Sequence, residues 1–284
     1  MMGLKQRKTE ETIFKVLMVS ACIVVSSSLF LIVGTIVAKG LPYLTWDMVS
    51  KVPKGGFYIG KEGGVLNAII GSLYLAGGAT VLGLIISIPI SVYLNIYLKS
   101  GSPLSKSAKL AYDVLFGIPS IVYGAFAFSI MIWLGVRASL LGGVIAVTLL
   151  IIPILVRTLD EVITTVPKEL KHAALSLGAT RWEAAKVVLR QIRPGIYTAI
   201  LLAFGRGIGD VASVLFTAGF SDNIPKYIDE PAATLPLAIF FQLGSPIPEV
   251  QGRAYASALI LTIIILIIVV VSHFLGAKQA KHKI

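Results

Sequence analysis

Two ionisable side chains stand where the surrounding sequence is almost wholly apolar. From Pro194 to Phe220 the charged residues are Arg206 and Asp210, near the middle of the run and four apart, which places them on one face of a helix. An arginine at the centre of a bilayer costs about 2.5–3.5 kcal/mol on insertion scales, so it tends to face a watery interior and mark an ion path. Guanidinium is permanently charged, and its planar fork matches the oxygens of a phosphate-like anion, whereas an ammonium offers only a point charge. The Asp210 carboxylate could hold that fork in place and accept a proton from a protonated anion. The competing reading is structural: the two charges neutralise each other or a neighbouring helix. Gly205, Gly207 and Gly209 leave room near the charge for an anion or a partner helix, and Gly205 and Gly209 form a G-x-x-x-G pair suited to close helix contact. A second stretch, GIPSIVYG from Gly117 to Gly124, carries Pro119, which would free a backbone carbonyl. Its Ser120 and Tyr123 hydroxyls either line the path or mend the kink.

The longest polar connection, residues 158–194, carries a different kind of function. Pro167 suits a helix start, and an alanine-rich apolar run follows to Leu177. Gly178 fits a C-terminal cap, because glycine accepts the left-handed conformation there. Thr180-x-x-Glu183 is a capping box that opens a second helix through Ala184, Ala185, Val187 and Val188, with Pro194 as its end. The predicted unit is helix, glycine turn, helix. Small residues at Ala173, Ala174, Gly178 and Ala179 let the backbone seat closely on another surface. Leu175, Leu177 and Trp182 are apolar anchors of the kind that dominate interfaces, with His172 and Arg181 beside them. A docking element is the sharper reading; the plainer one is an amphipathic loop lying on anionic lipid through its cations.

Other patterns do not survive their physics. GGFYIGKE, Gly55 to Glu62, nearly matches a phosphate-binding loop, but Glu62 stands where a hydroxyl should hold magnesium and no strand precedes it. The glycines at 205, 207 and 209 lack the last glycine of a dinucleotide fingerprint, since Asp210 follows. His172, His273 and His282 do not cluster in sequence, so no metal site is expected. Cys22 is the one cysteine, which excludes a disulfide within the chain. No catalytic constellation is found, and the expectation is that this chain is not an enzyme.

The elements that must position these residues follow from composition. Of 284 residues, 56% are hydrophobic and 14% charged, against about 25% charged in a soluble domain, so apolar residues must face lipid. Crossing ~30 Å of hydrocarbon takes about 20 helical residues. Charge-free intervals of 23, 36, 23, 19 and 24 residues begin after Lys15, Glu62, Asp113, Arg137 and Arg253, and the Arg206 run makes a sixth span. The expected architecture is all-α and polytopic, one membrane domain over residues 1–284. Its spans lie near 16–38, 67–98, 114–134, 138–156, 195–220 and 254–275. In span two, Gly71, Gly77, Gly78 and Gly83 suggest close helix packing. Six spans put both termini on one side, and seventeen Lys and Arg lie on that side against seven on the other. By the positive-inside bias the termini are cytoplasmic and the loop 158–194 is inward. The net charge of +11 is thereby a matter of topology, with no nucleic-acid partner expected.

With those residues in place a family resemblance appears. HAALSLGATRW, His172 to Trp182, resembles the EAA-x-x-x-G signature of ABC importer permeases, and RTLDEVITTVPKEL, Arg157 to Leu170, is also similar to that family. His172 stands where the signature has glutamate, and Arg190 and Gln191 where Leu-Pro is usual. GIPSIVYG, GRGIGDVASVLFTAG (Gly205 to Gly219) and TLPLAIFFQ (Thr234 to Gln242) resemble segments of the phosphate ABC permeases of the PstA and PstC type. Length and order fit the PstA type better. Asp210, Val211 and Ser213 stand where that family has glutamate, threonine and proline. The resemblance implies a type I ABC importer permease fold with six helices and phosphate as cargo, and residues 167–193 as the coupling element. It also implies transport roles at Arg206 and Asp210, to which the residues' own chemistry adds Gly207, Ser120 and Tyr123 as candidates for the substrate path. It implies as partners a second permease of the PstC type, a dimer of ATP-binding subunits and an extracytoplasmic phosphate-binding protein. The chain itself would carry no cofactor, ATP and Mg being held by the ATPase. The expected location is the plasma membrane of a prokaryote. Rival readings are an ABC permease for another oxyanion or a phosphonate, and an ion-coupled secondary carrier using Asp210 as its ion-binding carboxylate.

Overall fold

A computed structural model describes residues 4–54, 62–99 and 101–280. The decoy loop Gly55 to Glu62, apart from Glu62 itself, and His282 lie outside the described residues. The first helix, α1 (Leu4–Gly40), is apolar all round over its lipid-length portion, which the rest of the described residues does not bury; its main contacts are with the last helix and the short turn Leu41–Tyr43. After α2 (Trp46–Ser50), whose start is capped by the Thr45 hydroxyl, comes α3 (Leu66–Val92), prolonged by a wide π turn, Tyr93–Tyr97. The overlong second span is thus helix plus π turn. Gly71 lies against the Ala233 backbone, Gly78 against Val144 and Gly83 against Ile151 and Leu155, while Gly77 faces open space.

The third span differs from its expectation. Instead of one helix over 114–134, α4 (Pro103–Phe116) and α5 (Ser120–Trp133) meet at 99°. The cause is local: a residue before proline is driven out of the helical region, so Ile118-Pro119 ends one helix and starts another. With 14 residues, α5 is about 21 Å long and does not cross the hydrocarbon alone. Helix α6 (Leu140–Thr164), capped by Ser139, runs eight residues past the expected end at 156. Then come α7 (Lys168–Ser176), α8 (Arg181–Gln191) and α9 (Arg193–Ile208). Pro194 sits in the first turn of α9, where its missing N–H is not needed, so it opens α9 rather than closing α8; the two helices bend by 71°. Within the stretch expected as the fifth span, α9 stops at Ile208 and residues 212–218 form a run of tight turns. Helices α10 (Leu235–Leu243) and α11 (Pro248–Ala280) complete the chain. Among the described residues four helices are long and apolar enough to cross a membrane, and up to six spans result if each bent pair is one.

The core lies between α3, α6 and α9. Leu75, Val147, Ile151, Leu155, Ala203 and Val214 are buried together there, so the middle of the bundle is a dry packed layer that fixes α9 and the turns after it.

Candidate functional site

Arg206 and Asp210 straddle the break in the fifth span. Gly209 ends α9, and Asp210 then acts as a cap for the next turns: its Oδ2 accepts the Ser213 N–H at 2.8 Å and the Ser213 hydroxyl at 2.5 Å. Its other oxygen stands 3.4 Å from an Arg206 terminal nitrogen. The Asp210 side chain is 4% exposed and the Arg206 side chain 46%, so the carboxylate is a buried brace and the guanidinium is the group presented outward. Guanidinium has five N–H donors, and among the described residues Arg206 makes no protein contact that uses them beyond this one ion pair. The pair therefore survives the loss of the continuous helix, held by a cap instead of by helical periodicity.

The neighbouring glycines divide. Gly205 faces open space beside Arg206, whereas Gly207 is buried against Val147 and Ala76 and packs α9 onto α6 and α3. A β-carbon on Gly209 would meet only the Gly205 carbonyl, so among the described residues the G-x-x-x-G pair makes no contact with another helix. Tyr123 is buried and its hydroxyl donates to the Leu115 carbonyl at 2.7 Å, across the α4–α5 bend. Ser120 opens α5, half-buried at that bend.

The GIPSIVYG residue that reaches the charged pair is one that the sequence reading passed over. A β-carbon on Gly124 would lie 2.8 Å from the backbone of Ala212 and Ser213, so α5 presses directly on the turn that holds Asp210. Gly124→Ala should therefore push Ser213 off Asp210 and release Arg206. Overpacking of this kind costs about 1–3 kcal/mol, and transport should fall by roughly tenfold or more while membrane insertion is unchanged. Uptake per unit of inserted transporter measures it.

At the other end, the hairpin forms as its caps predict. Gly178 takes φ +84°, and the Thr180 hydroxyl and Glu183 carboxylate complete the capping box. One placement shifts: Pro167 caps α7 from outside instead of occupying its first turn. His172, Ala173, Leu177, Gly178, Arg181 and Trp182 are exposed, and Ala174, Leu175 and Ala179 are half-buried. Leu177, at 89%, projects from the tip, and Lys186 lies over the Trp182 ring at 5.4 Å. Arg181 does more than face outward, since it reaches the Tyr97 carbonyl at 3.4 Å. Bonds from the Thr180 N–H and hydroxyl hold the Glu183 carboxyl below its ordinary range. A depressed carboxyl stabilises the fold above its unfolded value and loses that contribution as pH falls through the folded one. Exchange of the Glu183 amide, corrected for intrinsic rate, should accelerate below about pH 4.5, and Glu183→Gln should abolish that pH dependence.

The sequence reading also missed a polar hub. Asp160 on α6 is 7% exposed; its Oδ1 accepts Asn95 Nδ2 at 2.8 Å, and its Oδ2 accepts Lys109 Nζ at 2.7 Å and the Tyr112 hydroxyl at 2.8 Å. A signal was present: Asp160 falls inside the stripe Val156, Leu159, Ile163, where helical spacing buries a side chain. Among the described residues no group of three His, Cys, Asp or Glu could hold a metal ion.

Long apolar helices, a broken span presenting a cation and a capped, exposed hairpin are the parts of a polytopic membrane permease. The fold agrees: the chain superposes with a TM-score of 0.60 on a subunit of the MetNI methionine ABC transporter in an inward-facing form, at 16% identity over 75% of this chain and 95% of that one. With a bacterial ABC transporter involved in import of the acidic polysaccharide alginate the TM-score is 0.62, at 15% identity over 95% and 99%. Residues 87–281 match the family described as binding-protein-dependent transport system inner membrane component. The phosphate transport system permease protein PstA of Haemophilus influenzae is 34% identical over 83% of this chain and 82% of its own length. Those of Pasteurella multocida, at 33% over 88% of each, and Mycobacterium bovis (PstA 2), at 30% over 89% and 83%, are similar. The chain belongs to this family of ABC importer permeases, in its PstA-type branch, and is a multi-pass membrane protein.

Proposed function

We propose that this permease carries inorganic phosphate inward, forming half of a path completed by a second permease of the PstC type. The observation that carries the reading is the half-exposed Arg206 guanidinium at a helix break, braced from behind by buried Asp210. Broken membrane helices lining a cavity are where transporters hold ions, and a fixed fork suits a tetrahedral oxyanion. The names of the relatives support the cargo. An extracytoplasmic phosphate-binding protein would deliver the anion. A dimer of ATP-binding subunits, holding ATP and Mg, would dock under the hairpin 168–191 and shift the path between outward and inward access. The distribution of cations supports cytoplasmic termini in a prokaryotic plasma membrane.

The deciding experiment is uptake of labelled phosphate by the assembled transporter in proteoliposomes, with binding protein outside and ATP inside. Phosphate should enter only with ATP, and excess sulfate, molybdate or a phosphonate should compete weakly. Equal competition by any of these would move the cargo to that class. Uptake by the chain alone on an ion gradient would replace the reading with a secondary carrier.

A further inference from the structure

Resting on that reading, the geometry points to Asp160 as a positioning residue that passes the hairpin's movement to the Arg206 site. Two groups of bonds converge on one short stretch of backbone, the π turn at the inner end of α3. From the hairpin, Lys171 Nζ donates to the carbonyls of Asn95 at 3.3 Å and Ile96 at 3.0 Å, and Arg181 reaches that of Tyr97. Carbonyls at a helix end lack intrahelical donors and carry the negative end of the dipole, so two cations there form a real attachment. Apolar packing backs it, since Val92 and Ile96 share a buried cluster with Ala185, Val188 and Ile192. From the other side, the Asn95 side chain is held by Asp160, which also grips α4 through Lys109 and Tyr112.

Helix α4 leads straight to the bend at Gly117–Pro119, which the Tyr123–Leu115 bond keeps closed. Beyond the bend, Gly124 rests on the Ser213 backbone, and Ser213 holds Asp210 against Arg206. A shift of the hairpin therefore has a continuous route of hydrogen bonds and close backbone packing to the site, and Asp160 is a charged, buried group in it that ties three segments at once. Its carboxylate has both oxygens occupied, so it cannot follow the π turn without drawing α4 along.

The test uses the complete transporter in nanodiscs and proteoliposomes with two substitutions. Asp160→Asn removes the charge that holds Lys109 while keeping size; Tyr112→Phe removes one hydroxyl. Phosphate moved per ATP hydrolysed should fall, by roughly fivefold to thirtyfold for Asp160→Asn and less for Tyr112→Phe, with ATPase subunits still bound. Hydrogen exchange gives a readout that needs no cargo. With ATP and vanadate, residues 115–124 should change protection in the native chain and not in Asp160→Asn, whereas the hairpin 168–191 should respond in both. An unaltered response of 115–124 in Asp160→Asn overturns the inference, and so does loss of the hairpin's own response, which would place Asp160 in docking or folding instead. If the native transporter proves to carry another anion, the exchange result still decides this point, so the two failures are separable.

Discussion

Replacing Arg206 with alanine should lower phosphate uptake about a hundredfold, and replacing it with lysine about tenfold, with the assembled complex intact in both. Hydrogen bonds to charged groups are worth about 1.5–3 kcal/mol. Alanine loses both fork and charge, while lysine keeps a point charge without the paired geometry. Assembly should persist because the Arg206 side chain is about half exposed and its one ion pair is long. Asp210 separates site from scaffold. Asp210→Asn keeps an oxygen able to accept from Ser213 and should retain the turn with reduced uptake; Asp210→Ala removes the cap and should resemble Gly124→Ala. Wild-type uptake by Arg206→Ala and Arg206→Lys alike, at matched amounts of complex, would sink the role given to this arginine.

A charge at the tip of the hairpin should uncouple the transporter from its motor. Leu177→Asp alters a side chain that touches little of its own chain, so the permease should fold and insert normally. Burying that carboxylate in an apolar cleft is unfavourable without a partner. ATP-binding subunits should therefore wash off during purification, and uptake should approach background. Trp182→Ala should act in the same direction, since truncating an aromatic anchor at the centre of an interface costs at least about 2 kcal/mol, roughly thirtyfold in affinity. Quantifying ATPase subunits retained per permease measures both. Retention of the full complement by Leu177→Asp would place the docking surface elsewhere on the inward face.

What could be read from the sequence divides by the distance over which the cause acts. Arg206 and Asp210 announce themselves because ionisable side chains are costly in an apolar run wherever the chain folds. The hairpin is equally legible: a glycine at a left-handed position and a Thr–Glu capping box act within four residues, and the structure repeats both. The break after Ile208 is not legible as such, because apolar composition says that a stretch can be in the membrane and not that it stays helical. There the end of α9 is set by Asp210 capping the next turns and by α5 and α6 bearing on residues 212–217. Likewise Gly124 looks like a helix glycine until Ser213 is seen against it.

The amino-acid sequence by itself determined that the protein is helical, membrane-embedded and carries an Arg–Asp pair within an apolar run, since burial of apolar surface and the cost of ions in lipid depend on composition and near neighbours. Tertiary structure alone decided that Asp210 braces rather than shares the exposed face, that Tyr123 bonds across a bend, and that Asp160 joins partners 48, 51 and 65 residues away. Helical spacing marks Asp160 as buried, but nothing along the chain names partners that distant. The contacts exist only once packing has brought their helices together.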